Sequence, residues 1–108
     1  MLDKMAFFVY VIRTGSISAA SRHFNLSVSA GSRWLQELEN HFGVPLCHRS
    51  NRLLTATQAG QTLFDEFSPL VDNAERISRK LEDFQASDKG HINIAVTPVY
   101  ANHFLIDK

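Results

Sequence analysis

The chain has 108 residues, 44% of them hydrophobic, and its eleven Lys/Arg balance eleven Asp/Glu, enough for one small globular domain and an appendage. No basic leader precedes an apolar run, and no apolar stretch nears the roughly 20 residues of a bilayer crossing, so neither export nor a membrane partner is expected. Cys47 is the only cysteine, which leaves no intramolecular disulfide and fits a reducing, cytoplasmic setting.

Residues 2–13 place Leu2, Met5, Ala6, Phe8, Val9 and Ile12 at steps that predict a first helix burying one face. Gly15 ends it, and Ser16 or Ser18 is placed to cap a second helix. That helix is short, about residues 18–24, with Ala19 and Ala20 small enough for close packing. Asn25 tolerates the left-handed backbone of a tight turn, and Leu26 plugs it. Ser27 suits the N-cap of a third helix running to about His41. Leu35, Leu38 and Phe42 are its expected inward positions, with Gly43 as terminator and Pro45 beyond.

From Leu46 to Thr55, two short apolar arms flank the polar tip Arg49-Ser50-Asn51-Arg52, a hairpin pattern. Thr57 is placed to cap a long helix. Within it Leu63, Phe67, Leu70, Ala74, Ile77, Leu81 and Phe84 alternate steps of four and three, a coiled-coil seam. A helix of about 28 residues is roughly 42 Å long. So small a core cannot bury that stripe, and a second copy, in a homodimer, is its expected partner. Pro69 is expected to kink the helix or delay its start. Residues 86–90 form a polar hinge, after which Ile92, Ile94 and Val96 alternate as in a strand. One strand and the apolar residues 99–106 do not make a domain.

The neutral total charge conceals an asymmetry. Residues 1–56 hold six Lys/Arg against three acids, whereas residues 57–108 hold five against eight. A face that meets phosphate acts through its local charge, so the basic half is compatible with nucleic acid. The order short helix, tight turn, longer capped helix is that of a helix-turn-helix, which offers a helix N-terminus to the major groove.

The elements Gly15-Ser16, Ala19-Ala20, Leu26-Ser27, Ser32-Arg33 and Leu38-Glu39 occur in that order. Gly43-Val44-Pro45-Leu46, Arg49, Arg52 and Thr57-Gln58-Ala59-Gly60 follow without gaps. As a set they resemble the LysR-type transcriptional regulators, over Leu2 to about Val96. The resemblance implies a mainly α fold, a winged helix-turn-helix (three-helix core with β-hairpin wing) followed by a long dimerisation helix. It implies a DNA-binding domain at 1–57, with helix-turn-helix 17–36 and wing 46–55, and a linker helix at 58–86. Residues 87–108 would be the hinge and first strand of a truncated effector-binding α/β domain. The implied function is that of a sequence-specific, double-stranded DNA-binding transcriptional regulator acting as a homodimer. It needs no cofactor, and only a full-length form would bind a small-molecule effector. Val28-Ser29 stands where the family often has Gln-Pro. Gly31 replaces an aliphatic residue at about 1 kcal/mol of helix propensity relative to Ala. Positions 28, 29 and 31 are expected on or near the surface that meets DNA.

The expected DNA contacts are Ser27, Val28, Ser29, Ser32 and Arg33 on the third helix, with Arg49 and Arg52 on the wing. Ser27 has capping as a second duty, and Val28 faces either a thymine methyl or solvent. Arg33 has an alternative partner in Glu37, four residues on. Arg49 has an alternative in holding the wing to the body. Arginine suits both phosphate and a narrow minor groove. The dimer contacts are the seam residues from Leu63 to Phe84.

Other readings lack support. Cys47-His48 are adjacent in sequence and do not converge as a nucleophile or metal pair. No phosphate loop, paired acid or triad spacing is present, so neither an enzyme nor a metal site is expected. A dimerisation-only module pairing with a full-length regulator is the alternative, since the seam alone would serve it.

Overall fold

In the computed structural model, the structure describes residues 1–49 and 54–87. The element order is α1 (Leu2–Thr14), α2 (Ile17–His23), α3 (Val28–Phe42), β1 (Cys47–Arg49), β2 (Leu54–Ala56) and α4 (Gln58–Ser87). The fold is a three-helix body carrying a two-stranded wing, followed by one long helix. Of the hinge expected at residues 86–90, residues 86 and 87 instead continue α4, while 88–90 and the strand expected at residues 92–96 lie outside the described residues.

The helix ends follow from single residues. Gly15 and Gly43 take the left-handed conformation at φ 71° and 73° and close α1 and α3. Ser16 Oγ accepts from Ala19 N at 3.0 Å and Ser27 Oγ from Ala30 N at 3.1 Å, capping α2 and α3. Asn25, at φ 58°, turns the chain between them. Thr57 Oγ1 accepts from Gly60 N at 3.0 Å at the head of α4 and donates to Pro45 O at 2.8 Å.

The core sits around α1, where the expectation of a single buried face is corrected. Ala6, Phe7, Phe8, Val9 and Val11 are all buried, while Leu2 is 48% exposed. A helix buried all round must be covered on several sides. Here α2 and α3 lie against one side, and Phe67 and Val71 of α4 reach the same core. Phe8 meets Leu35, Leu38, Leu46 and Cys47 in an adjoining cluster. Phe7, Phe24 and Trp34 make edge-to-face contacts at 5.6–6.2 Å between ring centres.

Three further expectations change. Phe42 is 44% exposed rather than inward, because the last residue of α3 projects past the edge of the body. Pro69 lies inside α4 without delaying its start at Gln58. Proline removes one backbone donor, but the chain on both sides stays helical. Gly31, expected near the DNA surface, is buried where α3 crosses α2. A Cβ there would collide with Ser21 Oγ and lie 3.0 Å from Phe7 Cζ. The missing side chain is a packing requirement of the crossing.

Candidate nucleic-acid interface

With Gly31, Leu35 and Leu38 turned inward, helical spacing assigns the outer face of α3 to Ser29, Ser32, Arg33, Gln36 and Asn40, all exposed. Val28 stands beside them, 51% exposed, at the first helical position. Ser27 Oγ lies 3.3 Å from Ser29 Oγ, so the cap hydroxyl already has two neighbours. Gln36 Nε2 donates to Asn40 Oδ1 at 3.2 Å. Gln36 was absent from the expected contacts, although its spacing of four from Ser32 and seven from Ser29 would have found it.

Arg33 is exposed and has no ion pair among the described residues. The acid expected to compete for it, Glu37, instead faces Lys4 Nζ at 3.8 Å. Lys4 also stands over the Trp34 ring, 5.1 Å from its centre, so a cation–π contact holds that ammonium toward α3.

On the wing, β1 and β2 pair antiparallel with Cys47 opposite Ala56, His48 opposite Thr55 and Arg49 opposite Leu54. Arg49 Nη2 lies 3.3 Å from Glu39 Oε1, with the arginine side chain 43% exposed. The wing-to-body role considered for Arg49 is therefore real in this geometry, and the guanidinium keeps an open side. Arg52 lies outside the described residues.

Glu39 is the residue that sequence reasoning passed over. It is 8% exposed, and its Oε2 accepts from Leu46 N at 2.7 Å and Cys47 N at 3.2 Å. One carboxylate thus satisfies two buried donors at the root of the wing. It also places a carboxylate beside Cys47. The consequence is inertness. Burial, then the Glu39 charge, pushes the thiol up to about 11 against a smaller pull from Arg49, and a nucleophile needs the opposite shift. Among the described residues no three His, Cys, Asp or Glu side chains group to hold a metal. No helix among them is long and apolar enough to cross a membrane.

The expected dimer seam divides in two. Phe67 is 5% exposed and belongs to the chain's own core, and Leu63 is half-buried against it. Leu70, Ile77, Leu81 and Phe84 are 56%, 46%, 60% and 71% exposed, and Ala74 is half-buried between them. The open part of the stripe begins at Leu70.

Residues 2–61 match the family model described as a bacterial regulatory helix-turn-helix protein, lysR family. The chain belongs to the lysR family. Among LysR-type relatives, the uncharacterized HTH-type transcriptional regulator YcaN of Escherichia coli K12 is 30% identical over 105 residues, covering 97% of this chain and 35% of that protein. The HTH-type transcriptional activator AaeR of the same strain is 28% identical over 104 residues, 96% of this chain and 34% of its own. The chain spans about a third of the length of the curated relatives it matches.

Solved LysR-type structures agree with the fold. Full-length AphB, a Vibrio cholerae virulence activator of the LTTR family, superposes with a TM-score of 0.70 at 28% identity, over 75% of this chain and 28% of that one. The CbnR DBD in complex with DNA gives 0.62 at 25% identity, over 77% and 95%. The BenM DBD in complex with benA site 1 DNA gives 0.65 at 23%, over 78% and 94%, a likeness of fold.

Proposed function

We propose that this LysR-type chain reads a double-stranded promoter sequence as a homodimer, α3 entering the major groove and the wing gripping flanking backbone. The observation that carries this reading is the outer face of α3, where Ser29, Ser32, Gln36 and Arg33, which has no ion pair among the described residues, stand exposed behind a capped N-terminus. A helix end with free N–H groups favours phosphate, and arginine and glutamine match guanine and adenine edges in the major groove. Val28 offers an apolar contact to a thymine methyl, and Arg49 and Arg52 supply the charge of the wing. The exposed stripe Leu70, Ile77, Leu81 and Phe84 supports pairing through α4. Action on DNA puts the protein in the cytoplasm. A small-molecule effector belongs, in this reading, to the part of a longer protein outside the matched residues. No enzymatic role is proposed.

The test is a duplex selected from a randomised pool and titrated over a salt series with the parent, Arg33→Ala and Arg52→Ala. Arg33→Ala should weaken the selected duplex by roughly 1–3 kcal/mol and relax discrimination. Arg52→Ala should weaken all duplexes alike and flatten the log–log salt slope by roughly 0.9 for each phosphate that is no longer neutralised. If both keep the parental affinity and slope, the reading fails. Dimerisation without any DNA affinity in the parent would leave the dimerisation-only alternative standing.

A further inference from the structure

We propose that Lys4 of α1 is a positioning residue for DNA recognition, holding the Glu37 carboxylate of α3 away from Arg33 so that this guanidinium is left for DNA. This rests on the DNA-binding reading above and adds to it a residue that acts on Arg33 without touching the duplex.

Helical spacing makes Glu37 the natural partner of Arg33. Of the side chains three or four positions from Arg33 on α3, namely Ser29, Ala30, Gln36 and Glu37, only Glu37 is charged. Residues four apart share a face, and opposite charges at that spacing attract. Both side chains are exposed. The order here, cation before acid, is the weaker of the two and is worth about a twofold preference at most. A modest competitor is enough to draw Glu37 off.

Lys4 is that competitor. Its Nζ lies 3.8 Å from Glu37 Oε1 and 5.1 Å from the centre of the Trp34 ring. Trp34 is in turn set edge-to-face against Phe7 and Phe24, at 5.6 and 6.2 Å between ring centres. An ammonium held on an aromatic face above a packed core loses less side-chain freedom on pairing than a lysine in open water. The neighbouring acid, Asp3, does not divert it, because Asp3 Oδ1 lies 3.1 Å from the N-terminal ammonium. The Lys4 side chain is 20% exposed against 49% for Glu37, so the cation is the anchored partner and the carboxylate the one drawn across.

The consequence for DNA is electrostatic. A carboxylate released from Lys4 stands one helical turn from Arg33. There it would pair with the guanidinium and repel the phosphates that the outer face of α3 approaches. With Lys4 in place, that charge is neutralised from the side of α1.

A mutant cycle on the selected duplex, read at one salt concentration, tests this. Lys4→Met keeps an apolar stem against Trp34 but removes the charge, and should weaken binding roughly fivefold. Glu37→Gln should bind at least as tightly as the parent. Lys4→Met/Glu37→Gln should return to within about twofold of Glu37→Gln, the non-additivity of a coupled pair. Lys4→Arg, which keeps both the charge and the ring contact, should bind like the parent. In an Arg33→Ala background, Lys4→Met should cost less than it does in the parent. Parental affinity in Lys4→Met overturns the proposal. So does a loss that persists undiminished beside Glu37→Gln, which would mean that the ammonium meets phosphate itself. A parent that selects no duplex removes the DNA-binding reading, whereas a parent that selects one and gives an additive cycle removes only the role of Lys4.

Discussion

Glu39 holds Leu46 in place: a carboxylate oxygen on α3 accepts from the Leu46 backbone N–H at 2.7 Å. The same oxygen accepts from Cys47 N, and the other oxygen meets Arg49. Removing the carboxylate orphans two buried donors. Glu39→Ala should therefore destabilise the chain by about 2–4 kcal/mol, and Glu39→Gln, which keeps one acceptor, by less. Urea unfolding of the three proteins checks the order, and a Glu39→Ala midpoint equal to the parent's contradicts the assignment.

Gly31 and Ser21 should be coupled. Gly31→Ala gains helix propensity, yet its Cβ meets Ser21 Oγ, and a net cost of about 1–3 kcal/mol is expected. Ser21 Oγ is buried and finds no partner among the described residues, so Ser21→Ala should be near neutral. In that background Gly31→Ala should become cheaper by about 1 kcal/mol. Strict additivity in a double-mutant cycle rules out the steric explanation.

Gly60 differs in having no such remedy. A Cβ at this position would strike the Leu46 carbonyl and lie 3.1 Å from Phe8 Cζ. Backbone cannot be trimmed by mutation, so Gly60→Ala should cost about 3 kcal/mol with or without Phe8→Leu. Thermal unfolding of the pair measures this. Full rescue by Phe8→Leu would place the obstruction in the side chain instead.

Cys47 gives a pH signature. Its folded-state value, about 11, lies above the ordinary 9.0, so the unfolded chain loses this proton first. The stability contributed by the neutral buried thiol is intact below pH 9 and declines between pH 9 and about 11. Denaturation curves of the parent and Cys47→Ala should diverge in that window, the parent losing more. Thiol labelling of the native chain at about pH 8 should be slow and should accelerate on unfolding.

Much of the architecture was legible in local chemistry. Ser16, Ser27 and Thr57 cap where their hydroxyls suggested, and Asn25, Gly15 and Gly43 turn the chain where left-handed backbone was required. Illegible features depend on neighbours distant in sequence. Periodicity cannot report that α1 is enclosed on several sides, because it reads one helix at a time. Gly31 and Gly60 look like weak helix residues until Ser21 and Leu46 are set against them. The sequence leaves Arg49 open between DNA and the body, and only Glu39, ten residues earlier, supplies the partner. Gln36 is the exception, a residue whose spacing alone placed it on the outer face of α3.

Leu46 is gripped from both sides. Its N–H goes to Glu39 of α3, and its carbonyl takes the Thr57 N–H at 3.0 Å and lies against Gly60 in the first turn of α4. Helix, wing and lever therefore meet at the Leu46 backbone. If the chain binds DNA as the homodimer proposed above, torque on the wing passes into the 30-residue arm instead of dissipating in a slack joint.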